Sequence, residues 1–444
     1  MICTGSRSYL AIATWLLAWP AFAGSPERSQ SLFQRAERLE RDHEWDKACD
    51  AYERILARGH APPGTKEQYQ LCLRHALLGA RHRDRTFREQ VLTQDTSLLL
   101  HVYGEVLTKL RANFIEENKA GFTQLYRYGL DGLDLALSDD FFCREHMPDV
   151  PVEAIRKFQR KLTASWRKSN IRRALDAEAG ALEIALAARE AIHLKPAVVI
   201  MEMAAGACSG LDDHTLFLSP GQFRDAGSSE MSVMRQLVDQ PSVLQVQVLN
   251  GMKGIGYFQL ASLERTSPQE LDAAVLQLQA QGIRALIIDL RGNPGGSFDA
   301  AVQVAERFVT DGVIVSTQSR VLNYNRTYRA NNAGALSLPL VVLIDGGTAS
   351  AAEVVAGAWK DHRRATLVGE PTFGKASIQG VLQLDTVPAG LRITLAKFFS
   401  PRAQRLDGMG ISPHIEIQQA PNSIHDAQLD MAVEEAARLL ELRQ

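Results

Sequence analysis

The chain has 444 residues, 45% of them hydrophobic and 23% charged, with a formal net charge of −2. That length exceeds one ordinary domain, and the proportions exclude a disordered chain. The near-neutral balance excludes a large basic field of the kind that nucleic acid requires. Residues 1–23 read as a secretory signal. Arg7 supplies a positive start, residues 9–19 are mostly apolar, and Ala21-Phe22-Ala23 forms a small-x-small cleavage site before Gly24. The apolar run is short for a bilayer span, and no later stretch is long and apolar enough to be one. The expectation is an exported chain, periplasmic or secreted, with no membrane span after cleavage.

Residues 31–83 carry helical periodicity. Phe33, Ala36 and Leu39 recur at helical spacing, then Trp45, Ala48, Tyr52, Ile55 and Leu56. Gly59, Pro62, Pro63 and Gly64 end that run, and Tyr69, Leu73 and Leu77 mark a third helix. Trp45, Ala48 and Tyr52 resemble a tetratricopeptide helix pair, but one pair cannot form a solenoid alone. A plain helical extension fits the same residues. Amphipathic helix continues over residues 97–137, and a charged helical stretch follows over 149–194, its charges on a solvated face. The pattern changes after Pro241. Residues 243–249 and 254–260 read as strands flanking Asn250-Gly251, a strong hairpin signal. Strand, helix and strand then alternate at 286–290, 298–308, 313–317, 340–344, 351–359 and 366–368, the mark of an α/β core with buried strands. An amphipathic helix closes the chain over 424–442. The expected divisions are a leader (1–23), a tetratricopeptide-like helical region (24–90), a helical cap (91–225), an α/β core (226–420) and a C-terminal helix (421–444). After loss of Cys3 with the leader, Cys49, Cys72, Cys143 and Cys208 remain. Export permits a disulfide, Cys49–Cys72 first, and buried free thiols are equally consistent with the spacing.

Three segments carry candidate chemistry. In LVVLIDGGTASAAEVVAGA an apolar strand runs into Asp345-Gly346-Gly347 and a helix begins near Ser350. Free N–H groups and the helix dipole there face any negative charge that develops beside the serine. An ordinary N-cap would also put a serine at that point. In GEPTFGKASIQG, Lys375 sits among Phe373, Gly374, Ala376 and Ile378 with little charge nearby. A lysine desolvated in this way loses proton affinity and can serve as a base near neutral pH. Gln379, four residues on, could aim its amine. Taken alone, a surface lysine explains the segment as well. In ALIIDLRGNPGGS a buried strand runs into Gly292-Asn293-Pro294-Gly295-Gly296, where glycines let backbone N–H groups approach a ligand. The Lys-Ser/Thr ending of a nucleotide-binding loop is absent.

Taken together, the three segments resemble the C-terminal-processing, or tail-specific, serine peptidases of Clp-crotonase-like fold. LRGNPGG matches the family's glycine loop. GTASAAE matches its nucleophile segment at Ser350, and VGEPTFGKASIQ its lysine segment at Lys375 and Gln379, 25 residues after the serine. GMGISPHIEI resembles the closing strand, with His414 where an aspartate is usual, and residues 206–220 resemble the handover from the helical cap. The likeness covers roughly residues 249–416. It implies an α/β core of Clp-crotonase-like type behind an all-α N-terminal region. It also implies an endopeptidase with Ser350 as nucleophile, Lys375 as general base and Gln379 orienting the base. The N–H of Ala351 with that of Gly295 or Gly296 would form the oxyanion hole, with no metal and no cofactor.

Residues 221–253 are too few for the PDZ domain that many members insert, and 149–194 reads as helix where a PDZ domain needs strands. The N-terminal helices are expected to supply substrate or protein-partner contacts instead. His362, at a helix end, suits the dipole, and nothing in sequence marks His214 as catalytic. The rival readings are a non-proteolytic periplasmic binding or scaffold protein on the same fold, and an acyl-CoA enzyme suggested by fold alone. The intact Ser350, Lys375 and Gln379 argue against the first, and export argues against the second. The sequence leaves the oligomeric state open.

Overall fold

The computed structural model describes residues 26–56, 61–226, 241–249, 254–419 and 425–442. The leader with Cys3, the Asn250-Gly251 turn signal, and residues 424 and 443–444 at the two ends of the C-terminal stretch lie outside the described residues; the helix there begins at Ala427.

The first half is helical: α1 Pro26–Arg41, α2 Trp45–Leu56, α3 Thr65–Arg83, α4 Arg85–Gln90, α5 Thr96–Asn113, α6 Phe122–Leu137, α7 Asp140–His146, α8 Val152–Ala164, α9 Ala174–Ile192 and α10 Pro196–Ser209. Aspartates set several starts. Asp84, Asp95 and Asp139 accept backbone N–H bonds at the N-termini of α4, α5 and α7. Helices α1–α3 enclose a small core of Ala36, Ala48, Cys49, Tyr52, Ile55, Cys72 and Leu73. Cys49 and Cys72 lie in it as free thiols. This small core is joined to the cap through α3. Arg81 and His82 bond the buried Glu202 of α10, His75 bonds Asp139, and Trp45 stacks on His75 at 4.1 Å.

Strand β1 Leu216–Leu218 leaves the cap, and the core follows: β2 Val243–Val248, β3 Ile255–Leu260, α11 Ser267–Ala280, β4 Ala285–Asp289, α12 Phe298–Glu306, β5 Asp311–Ser319, β6 Arg326–Asn331, β7 Leu340–Ile344, α13 Ala351–Asp361, β8 Thr366–Gly369, β9 Ser377–Gln383, β10 Gly390–Phe399, β11 Ile415–Glu416 and α14 Ala427–Glu441. One sheet runs β11-β8-β7-β4-β3-β2, parallel except for β2 on the edge. Its strands are apolar on both faces because both faces are covered. Phe258, Leu286, Ile288, Val342 and Ile344 pack with α11–α13, while Tyr257, Ile287, Val341 and Leu343 pack with Ala432 and Ala436 of α14. The C-terminal amphipathic helix therefore lays its apolar stripe on the sheet.

The second sheet is antiparallel, in the order β1-β10-β5-β6 with β9 also on β10. Leu384, Leu391, Ile393 and Leu395 from its β9–β10 hairpin belong to the same core as α5–α10. Packing thus crosses the expected division near residue 225, because the hairpin's inner face is apolar and the cap offers the apolar surface that covers it.

Candidate active site

The parallel sheet creates the site. Strands β4 and β7 are neighbours, and the glycine loop and the serine turn leave their carboxyl ends side by side. Hydrogen bonds stitch the two loops together. Asp345 Oδ1 accepts from Gly292 N and Gly347 N at 2.8 and 3.0 Å. Thr348 Oγ1 donates to the Leu290 carbonyl at 2.8 Å, and Ala349 N donates to the Asn293 carbonyl at 2.9 Å. The buried Asn293 side chain donates to Leu260 O at 2.7 Å and accepts from Gly295 N at 2.9 Å. Gly295 has φ 97, and a Cβ there would stand 2.8 Å from both Ala349 O and Ala351 N. Only glycine lets the loop lie this close to the serine turn.

Ser350 precedes α13 with φ 56 and ψ −119. An ordinary capping serine has extended backbone. A β-carbon-bearing residue in this region is strained and is held there by its surroundings. Glu353 supplies the hold. Its buried carboxylate accepts four hydrogen bonds: Ser350 N and Lys375 N on Oε2 at 2.9 and 2.8 Å, and Gly374 N and Thr372 Oγ1 on Oε1 at 2.8 and 2.6 Å. Burial pushes the carboxyl of Glu353 up, and those donors offset it in part. Sequence reasoning missed this residue because a glutamate at the third helical position reads as a routine capping box.

Lys375 is held below the usual lysine range by burial first and by the Arg392 guanidinium second, with Glu53 and Glu353 opposing. Among the described residues its Nζ makes no hydrogen bond and no ion pair, and none joins it to Ser350 Oγ. Gln379 does not reach the lysine either. Its Nε2 donates to Ser377 Oγ at 2.9 Å. The structure thus brings the backbones of Ser350 and Lys375 onto one carboxylate and leaves the three side chains unjoined. For the oxyanion, the N–H of Gly295 is occupied by Asn293, whereas those of Gly296 and Ala351 make no hydrogen bond among the described residues.

Two further groups near Lys375 were not legible in sequence. Arg392 Nε donates to the His214 carbonyl at 3.0 Å. The His214 imidazole is pushed below its ordinary range by burial and then by the charge of Lys375. The β1–β10 pairing brings this histidine in, over a separation that local pattern cannot span. His362 bonds the Val313 carbonyl at 2.7 Å, and His414 extends the sheet by exchanging bonds with Leu367. Arg291 of the glycine-loop motif joins Asp289 to Asp426, the N-cap of α14, so the C-terminal helix is clamped beneath the loop. Among the described residues, no group of three or more His, Cys, Asp or Glu could hold a metal ion. No described helix is long and apolar enough to cross a membrane.

Residues 254–417 match peptidase family S41. The chain carries an S41 peptidase domain. A carboxyl-terminal-processing protease of Synechocystis sp. is 37% identical over 191 residues, 43% of this chain and 44% of the relative. A carboxy-terminal-processing protease of Bartonella bacilliformis is 40% identical over 171 residues, 37% of this chain and 39% of the relative. The chain thus matches less than half the length of these curated relatives. A solved photosystem II D1 C-terminal processing protease superposes with a TM-score of 0.47 at 19% identity, covering 76% of this chain and 96% of that one. The fold of the S41 domain is Clp-crotonase-like, preceded here by the helical region.

Proposed function

We propose that this chain is an exported serine endopeptidase in which Ser350 attacks the peptide carbonyl and Lys375 is its general base. The observation that carries this reading is the single buried carboxylate of Glu353, which holds the backbones of both residues. Desolvation favours the neutral amine that a base requires. In the reaction, Lys375 Nζ takes the Ser350 proton and the alkoxide adds to the carbonyl. The oxyanion then forms beside the unoccupied N–H groups of Ala351 and Gly296. The tetrahedral intermediate collapses, Lys375 returns the proton to the leaving amine, and water clears the acyl-enzyme. The side chain of Lys375 closes on Ser350 when substrate fills the site, since catalytic hydrogen bonds commonly tighten only in the complex. Gly295 serves by its shape, and Gln379 supports the start of β9 through Ser377. The substrates are proteins or peptides exported to the same compartment.

The test is labelling by a serine-reactive phosphonate together with casein cleavage. The wild type should label and cleave. Ser350→Ala and Lys375→Ala should each abolish both. Cleavage surviving in both variants would remove the dyad and favour a different centre. A wild type that neither labels nor cleaves would favour the scaffold reading.

A further inference from the structure

The residues on either side of Lys375 are held by two different segments, and an ion pair joins those segments. Before the lysine, the Gly374 carbonyl accepts from Gly408 N at 2.8 Å, in the loop between β10 and β11. After it, the Ala376 carbonyl accepts from Phe398 N of β10 at 3.0 Å. Gly408 follows Asp407 in the chain, and Phe398 follows Lys397. Lys397 Nζ lies 2.9 Å from Asp407 Oδ2. A closed ring therefore runs from Lys375 through Ala376 to β10, across the Lys397–Asp407 pair, and back through Gly408 to Gly374. The rest of the loop is fitted to the same segment. Ile411 N donates to Thr372 Oγ1 at 2.7 Å, and the Ile411 carbonyl accepts from Thr372 N at 3.1 Å. Gly374 has φ 87, and a Cβ there would stand 2.8 Å from Gly410 N, so loop and lysine segment meet backbone to backbone. Lys397 Nζ also donates to Glu116 Oε1 at 2.8 Å, in the link between α5 and α6 of the cap. The neighbouring Ile115 N donates to the Thr394 carbonyl of β10 at 3.1 Å. The Lys397 side chain is 14% exposed, which spares both of its pairs the full screening of a surface contact.

We propose that Lys397 is a positioning residue for the base: by holding Asp407 it closes the ring that aims Lys375, and by holding Glu116 it makes the helical cap part of that mounting. The proposal rests on the reading of Lys375 given above and adds a residue that acts through it. The peptide unit joining Gly374 to Lys375 is pinned at both ends. Its N–H donates to Glu353 and its carbonyl accepts from Gly408. Rotation of that unit would swing the Cα–Cβ direction of Lys375, and with it the reach of the amine. Glu353 controls one end from α13, and the ring controls the other from β10 and its following loop. Without the ammonium of Lys397, the carboxylates of Glu116 and Asp407 are left around the same vacated position, and their like charges push the loop away from the cap. Arg405 also pairs with Asp407, at 3.3 Å, but from a solvent-exposed position and without a link to Glu116 or to β10 through its own neighbours. It does not close the ring.

The experiment measures kcat and KM for a short uncharged peptide in the full-length protein. Ser350 phosphonate labelling is the second readout, and circular dichroism confirms that each variant is folded. Lys397→Met and Asp407→Asn open the ring, and Lys397→Arg keeps it closed. Lys119→Met removes a different cation from Glu116 and leaves the ring alone. Opening the ring should lower kcat and the labelling rate by about tenfold to 100-fold, the scale of a misplacement near 1 Å, with KM within about twofold of wild type. Lys397→Arg should recover most of that loss, and Lys119→Met should match wild type. Should Lys397→Met fail to fold, Asp407→Asn, which keeps the side-chain shape, carries the test. Wild-type kcat in the folded ring-opening variants, or a loss confined to KM, overturns the proposal while the dyad stands. Absence of Ser350 labelling in wild type overturns both.

Discussion

The two halves of the proposed catalytic pair are built differently. The nucleophile half is locked through backbone. Asp345, Thr348, Asn293 and Glu353 fix the serine turn and the glycine loop against each other. The base half is locked only as far as its backbone. Lys375 N and Gly374 N sit on Glu353, while the lysine side chain, Gln379 and Ser377 make no bond to the serine. The difference teaches where preorganisation lies. Under the proposed mechanism, the dipoles that would receive developing charge are fixed in advance, and the proton acceptor is left to be placed by substrate.

The strongest way to break this contrast is to remove the residue common to both halves. Glu353→Ala leaves the N–H groups of Ser350, Gly374 and Lys375 and the Thr372 hydroxyl without their acceptor in a buried site. Each unsatisfied buried donor costs about 1–3 kcal/mol, so urea unfolding should show a loss of about 3 kcal/mol or more, and Ser350 labelling should vanish. Wild-type labelling in this variant would show that Glu353 merely fills space. Gly295→Ala attacks the nucleophile half alone. Its Cβ would meet Ala351 N and Ala349 O at 2.8 Å, displacing one of the N–H groups proposed to face the oxyanion. Labelling and peptide cleavage should fall by about 100-fold, the usual scale for one oxyanion donor, with a smaller loss of stability.

The nucleophile half was largely legible in sequence and the base half was not, for a physical reason. An apolar five-residue strand, a glycine turn and an apolar-periodic helix are local patterns, and residues 340–344 and 351–361 fold as they read. So do 243–248, 255–260 and 285–289. The surroundings of Lys375 are non-local. Arg392 and His214 arrive through antiparallel pairing of β1 on β10. Strands β6, β9 and β10 and helix α11 were not anticipated. On β10, Arg392 and Lys397 interrupt an apolar run, and β9 is polar at alternate positions. Such segments become strands by pairing with one another. Gln379 illustrates the limit. A four-residue spacing puts it on the lysine's side of either a strand or a helix, but β9 begins at Ser377, beyond Lys375, so a strand's alternation does not extend back to the lysine.

Acid should separate the two halves by loosening the helices beside the base. Buried Glu202 is balanced between the cost of burial and the charges of Arg81 and His82, which hold it down to about 2 from 4.5. A carboxylate depressed in the fold contributes stability above its unfolded value and loses it as pH falls through its folded value. His146, 2.9 Å from His82, is pushed down to about 4 from 6.5 by burial and then by His82. The unfolded imidazole protonates first, so its contribution also falls between pH 6.5 and about 4. Both effects act on the seam that joins α3 to α7 and α10. In single-tryptophan variants, the fluorescence of Trp45 and Trp166 should change at higher pH than that of Trp359 of α13, which is buried against α12. Coincident transitions would mean that the helices and the α/β core unfold as one unit.

The smallest effect sharpens the base half. If Gln379 worked directly on the lysine amine, Gln379→Ala would approach Lys375→Ala in severity. Its amide instead donates to Ser377 at the start of β9, two residues after the lysine. A side-chain hydrogen bond of that kind is worth about 1 kcal/mol, which is roughly fivefold in rate. Gln379→Ala should therefore lower kcat by about tenfold or less. Ser377→Ala should do the same, and the double variant should be little worse than either, because both remove one bond. Losses that multiply, or a Gln379→Ala variant as inactive as Lys375→Ala, would mean that the glutamine swings onto the lysine in the reacting complex. The base half would then be preorganised by substrate to the same degree as the nucleophile half is by the fold.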